Sequence, residues 1–154
     1  MVAALGSEGI DVLIHNAGVY HEGRDAAEVM EINAVAPVRV TEALLPAVLR
    51  SAQKKIIWIT SQLGARRGAS GSLGVYGDSK AAMNDALRER APGWSALGLT
   101  AIVLHPGWVR TDMGGANAPV TVEESAAGIF RVASELDAKQ HGAFLTWRGE
   151  PHPW

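Results

Sequence analysis

Apolar runs of strand length alternate with longer helix-patterned segments along the whole chain, and this alternation limits the possible folds more than any other feature. Residues 10-IDVLIHNAG-18 form a short apolar run, rich in β-branched residues and closed by Gly18. A second run is 55-KIIWIT-60, a third is 99-LTAIVLH-105, stopped by Pro106-Gly107, and a fourth is 143-AFLTW-147. Between them lie three helical stretches. The first spans 25–50, with Asp25 placed to cap its first turn. The second spans 75–97, and its body is rich in Ala, Leu, Arg and Glu. The third is opened by Thr121, with Glu124 three residues on as a capping box, and runs to about Leu136. Strands alternating with helices predict a parallel α/β sheet with right-handed crossovers. No repeat, low-complexity tract or linker divides the 154 residues, so one domain is expected.

Composition removes several functional classes. Hydrophobic residues make up 47% and charged residues 19%, and the net charge is −2, which offers nothing to nucleic acid or an anionic membrane. With no cysteine there is no disulfide, thiolate zinc site or thiol nucleophile. The five histidines show no metal-ligand spacing, so no metal is expected. No apolar run approaches the roughly 20 residues that span a bilayer. Met1 to Gly9 lack the charged and apolar regions of a secretory signal. A soluble cytoplasmic protein is the expectation.

The chemistry centres on Tyr76 and Lys80, four apart and therefore on one face of the second helix. An ammonium beside a phenol favours the phenolate, giving a proton donor or acceptor usable near neutral pH. Ser61 ends the second apolar strand, and C-terminal strand ends are where open α/β sheets place ligands. Asn33 precedes Pro37 by four residues. Proline cannot donate to the Asn33 carbonyl, so a helix through this point should kink and leave that carbonyl free.

Five motifs in order, 15-HNAG-18, Asn33 in 31-EINAVAP-37, Ser61 in 56-IIWITSQLG-64, Tyr76 with Lys80, and 106-PGWVRTDMGG-115, resemble the short-chain dehydrogenase/reductase family. The likeness runs from about residue 10 to the C-terminus. The ending, with 117-NAPVT-121 and the final Gly149 to Trp154, is most similar to the bacterial C-factor-like branch. The resemblance implies a partial Rossmann-like, doubly wound parallel sheet of about four strands with flanking helices. It implies an oxidoreductase passing a hydride between NAD or NADP and a carbonyl or alcohol substrate. Tyr76 would then be the acid/base group, and Lys80 would lower its pKa and hold the nicotinamide ribose. Ser61 would orient the substrate oxygen, and Asn33 would link Lys80 to solvent through a water. Asn16, Ala17 and Gly18 would lie along the cofactor, and Pro106, Gly107, Val109 and Thr111 would contact its nicotinamide and phosphate parts. Leu63 and Trp108 could wall an apolar substrate pocket.

Two departures stand out. His15 occupies the place of a second asparagine. The family's opening strand, Gly-rich turn and helix, which cradle the pyrophosphate, have no match, so the chain reads as a single, N-terminally truncated domain beginning near the family's fourth strand. Gly6 and Gly9 lie too near Met1 to serve as that turn, and Gly68, Gly71 and Gly74 suit a substrate-side loop better. The family commonly dimerises through the helices at 25–50 and 75–97, and Ala81, Ala82 and Ala86 would permit close approach there. A homodimer or homotetramer is therefore expected. The competing reading is a non-catalytic fragment serving as an interaction or signalling module.

Overall fold

The computed structural model describes residues 6–66 and 74–154. Gly68 and Gly71 of the proposed substrate-side loop lie outside them. The four expected strands are present as β1 (Val12–His15), β2 (Lys55–Ile59), β3 (Thr100–His105) and β4 (Phe144–Thr146). They form one sheet in the order β1-β2-β3-β4, with every neighbour parallel. Ile14 pairs with Ile57, Trp58 with Val103, and Leu104 with Leu145.

After Lys55, β2 is an unbroken apolar run, Ile56 to Ile59, because both of its faces are covered. Successive side chains point to opposite faces. Ile56 and Trp58 therefore enter one core with Val48, Met83, Leu87, Trp94 and Phe144. Ile57 and Ile59 enter the other with Ile102, Leu104, Val132 and Leu136. Helices α1 (Ala26–Met30), α2 (Ala36–Arg50) and α3 (Val75–Ala96) supply the first core, and α4 (Val122–Glu135) the second. Each fully buried side chain of this size contributes about 1.5–3 kcal/mol.

The caps follow the sequence. Asp25 accepts the Glu28 N–H at 2.7 Å, and Thr121 and Glu124 form a reciprocal capping box. Lys55 reaches from the start of β2 to the last carbonyls of α4, donating to Ala133 O (2.9 Å) and Ser134 O (3.0 Å).

The first helical stretch differs from expectation. Instead of a Pro-kinked α-helix, residues Glu31–Val35 form a π-turn, in which the Ala36 N–H bonds Glu31 O. The wider turn ends two residues before Pro37, which has no N–H to donate back to Asn33. The stretch Ala26–Arg50 is also, by its length of 25 residues and a mean hydropathy of 1.4 over its most apolar window, long and apolar enough to cross a membrane, contrary to the expectation from the sequence. Thr41, Leu44, Ala47 and Val48 are buried within this chain, as in the core helix of a globular fold. Gly9 has a packing role: a Cβ there would lie 3.0 Å from the Ser51 nitrogen.

Candidate active site

β2 and β3 end side by side, and the N-terminal half of α3 lies over their C-terminal ends. A cleft of about 790 Å³ opens there, lined by Ser61, Tyr76 and Lys80 among others. Ser61 is 8% exposed, Tyr76 8% and Lys80 4%, so three polar groups are buried together. Such burial is tolerated only where they find partners. The Ser61 side chain is hydrogen-bonded to Tyr76. Its Oγ also accepts the Leu63 N–H at 3.1 Å, capping the short 3-10 turn Gln62–Gly64. Lys80 Nζ donates to Ile59 O at 2.9 Å and lies 5.9 Å from the centre of the Tyr76 ring. An ammonium carries three donors, and the carbonyl takes one.

Two glycines make this proximity possible. A Cβ on Gly64 would sit 2.8 Å from the Lys80 carbonyl carbon, so only glycine lets the turn after Ser61 touch α3. A Cβ on Gly18 would sit 3.2 Å from Lys80 Nζ and 3.3 Å from Asn33 Oδ1.

The electrostatics correct one expectation. Burial raises the Tyr76 phenol above its ordinary value, the Ser61 hydrogen bond opposes the rise, and Tyr20, whose ring is 5.1 Å away, adds to it. Lys80, expected to lower it, is not among these influences, and desolvation sets the upward direction. Burial also pushes Lys80 down to about 8, which leaves it charged at neutral pH.

The other sequence-predicted residues divide. Asn16, Gly18, Leu63, Pro106, Gly107, Trp108, Val109 and Thr111 line the cleft. Asn33 and Ala17 do not. Asn33 is fully buried, and its amide is spent on structure: Oδ1 accepts the Val19 N–H (2.8 Å), and Nδ2 donates to Val19 O (2.8 Å) and Ser79 Oγ (3.0 Å). It thereby fastens the segment after β1 to α3. The segment after β3 is held by the Ser125 hydroxyl donating to Pro106 O (2.7 Å) and by Trp108 Nε1 donating to Gly114 O (2.8 Å). Gly107 has φ +90°, and a Cβ there would lie 2.9 Å from Trp147 Nε1.

His15 is a structural residue. Its Nε2 lies 2.9 Å from Thr41 Oγ1, which also accepts Trp58 Nε1–H (3.1 Å), and burial pushes its pKa down to about 4. Ala81, expected on an oligomer face, is 6% exposed and packs inside the chain where the Gly64 turn meets α3. Sequence reasoning missed Tyr20, His105, Met113 and Val122 as cleft residues. His105 had a visible signal, since it directly precedes Pro106 at a strand end.

Comparisons with known proteins bear on the family and the fold. A profile of the short chain dehydrogenase family matches residues 2–121. The C-signal protein of Myxococcus xanthus is 36% identical over 154 residues, covering 94% of this chain and 93% of that one. Short-chain dehydrogenase srdF of Neurospora crassa is 30% identical, covering 99% of this chain and 68% of that protein. Among solved structures, the carbonyl reductase Sniffer of D. melanogaster superposes with a TM-score of 0.90 at 30% identity, covering 99% of this chain and 69% of that chain. An NADPH-bound carbonyl reductase from chicken fatty liver gives 0.87 at 35% identity, with the same coverage. The chain thus belongs to the short-chain dehydrogenase/reductase family, as an NAD(P)-dependent oxidoreductase with a partial Rossmann-like fold acting on small molecules.

Proposed function

We propose that this chain reduces the carbonyl group of a small, largely apolar ketone or aldehyde at the cleft between β2, β3 and α3. The observation that carries the reading is the burial of Ser61, Tyr76 and Lys80 in one cleft, with Ser61 bonded to Tyr76. When bound, NADH or NADPH supplies the hydride that the carbonyl carbon receives. Ser61 donates a hydrogen bond to the carbonyl oxygen and orients it. Tyr76, a phenol protonated at neutral pH and pushed further that way by burial, then gives its proton to that oxygen as negative charge develops. This protonation state suits reduction better than alcohol oxidation.

Lys80 fits the cofactor's ribose, because two of its ammonium donors are not taken by Ile59 O and a diol offers acceptors for them. Asn33 acts through its backbone, at the π-turn, since its side chain is occupied. Asn16, Ala17 and Gly18 run beside the cofactor on one side. Pro106, Gly107, Val109 and Thr111 flank it on the other. Leu63 and Trp108 wall the substrate side together with Met113. The name of the Myxococcus relative says signal rather than catalysis; the buried Ser61, Tyr76 and Lys80 favour the oxidoreductase reading for this chain. The protein is expected in the cytoplasm, as a homodimer or homotetramer through α1, α2 and α3.

The test is NADPH or NADH consumption with apolar ketones, for the chain and its Tyr76→Phe variant. Phenylalanine keeps the packing and removes the proton, so turnover should fall on the order of a thousandfold. Turnover within a few-fold of the parent would overturn the mechanism.

A further inference from the structure

His105 ends β3 beside the end of β2, lines the same cleft as Ser61, and has no part in the chemistry described so far. Gln62 opens the 3-10 turn that follows Ser61, and an opening N–H has no partner within its own turn. His105 Nδ1 accepts that N–H across the gap between strands, at 3.3 Å. The Ser61–Gln62 peptide is therefore tied to β3, while Ser61 O accepts the Gly64 N–H at 2.9 Å within the turn. An Nδ1 that accepts carries no proton, so the neutral ring holds its proton on Nε2.

The surroundings keep the ring neutral. Burial, with a smaller push from His152, lowers His105 to about 4. His152, on the C-terminal return, places its ring 5.9 Å away and is itself held by stacking on Phe144 at 4.4 Å. The remaining titratable groups on the cleft are Tyr76 and Lys80 of α3 and Tyr20.

We propose that His105, as the Nε2–H tautomer, is a positioning residue: by accepting the Gln62 N–H it fixes the turn that aims the Ser61 hydroxyl at Tyr76 and the substrate oxygen. The inference rests on the reading of Ser61 as the substrate-orienting group. It is sharpened by the local geometry, because Ser61 is joined directly to the anchored nitrogen. A rotation of that peptide would carry the hydroxyl away from the phenol.

Two measurements test it, one of which needs no activity. In the ¹⁵N-labelled chain, long-range proton–nitrogen correlations read the His105 tautomer, and a through-bond coupling between Gln62 N and His105 Nδ1 reads the hydrogen bond. The Nε2–H tautomer with that coupling is expected. An Nδ1–H tautomer would overturn the inference whatever the enzyme does.

The second measurement uses His105→Leu and His105→Asn, checked for folding by thermal melt. Asparagine places a carbonyl oxygen near the position of Nδ1. The leucine variant should lose kcat on the order of tenfold with KM within about twofold, and asparagine should restore most of it. The Ser61 and Tyr76 resonances should move in the leucine variant and return in the asparagine variant. Equal kinetics and unmoved resonances in the two variants would sink the proposal. A parent chain without turnover would refute the function but leave the resonance test standing.

Discussion

The two edges of the sheet are finished differently. At β4 the chain turns back on itself. Leu145 bridges Pro151 in antiparallel fashion, Thr146 N–H bonds Glu150 O (2.9 Å), and His152 N–H bonds Phe144 O (2.8 Å). Trp154 then packs on Phe144 at 5.5 Å and beneath the Arg88 guanidinium at 5.0 Å. At β1, among the described residues, no strand pairs with the outer edge. Ile14 is 41% exposed there and Phe130 of α4 is 75% exposed, flanking a shallow apolar hollow. The Ser61, Tyr76 and Lys80 corner belongs to the finished part of the molecule, built by β2, β3 and α3. The surface running from Asn16 toward Phe130 belongs to the open part. Acid/base geometry and dinucleotide affinity are therefore separable in this chain.

The corner should be the less forgiving region. Gly64→Val puts a branched side chain against the Lys80 and Ala81 backbone, which cannot move without shifting α3. A loss of about 1–3 kcal/mol is expected in urea denaturation, with turnover falling in parallel. Unchanged stability would mean that the turn is not pressed on α3. Gly93, with nothing within 4 Å of a built Cβ, provides the contrast: Gly93→Ala in α3 should be neutral or stabilise by about 0.5–1 kcal/mol.

Affinity tests the other side of the comparison. The cleft offers Lys80 and the segment after β3 to a dinucleotide, but among the described residues no strand covers the face beyond Asn16. Calorimetric titration with NADPH should give a Kd weaker than about 100 μM, roughly −5.5 kcal/mol or less favourable. Micromolar binding by a monomer would show that the open face costs nothing.

Acid should weaken the chain through residues on both sides of that boundary. His15, tying β1 to α2, and His105, beside Ser61, are both pushed down to about 4 by burial. The unfolded chain binds those protons near 6.5, so between about 6.5 and 4 it holds more protons than the native state. Stability must therefore rise with pH through this window. A Tm lower by a few degrees at pH 5 than at pH 7 is expected, and His15→Asn should flatten part of the slope. A Tm that is constant across the window would contradict the burial of both rings.

Most of the architecture was legible because buried parallel strands announce themselves as apolar runs, and because Asp25, Thr121 and Glu124 act within one turn of their own positions. The grouping of Ser61, Tyr76 and Lys80 was legible for a related reason, since Tyr76 and Lys80 share a helix face and Ser61 ends a strand. What escaped depends on residues distant in sequence. The direction of the Tyr76 shift is set by desolvation, which no local pattern encodes. His15 finds its partners at Thr41 and Trp58, and Asn33 at Val19 and Ser79. Proline at 37 signalled a disturbed helix, but whether the chain kinks or widens to a π-turn is decided by packing. Ala81 has the small side chain of an interface residue, yet the Gly64 turn had already claimed its surface.

The smallest expected change in stability belongs to the β1 edge. An unpaired strand edge beside exposed apolar side chains is a template for another chain, and lysine is the residue natural sheets place there against such pairing. Ile14 and Phe130 contribute little to the native fold because water already reaches them. Ile14→Lys with Phe130→Lys should shift stability by no more than about 0.5 kcal/mol, the range of ordinary surface substitutions. The same pair should suppress concentration-dependent association, read by light scattering across a dilution series. If the double variant associates as strongly as the parent, self-association runs through the α2 and α3 face instead, where Ala82 and Ala86 lie. If it loses stability by several times the stated amount, the β1 edge is not open, and the contrast between the two sides of the sheet fails.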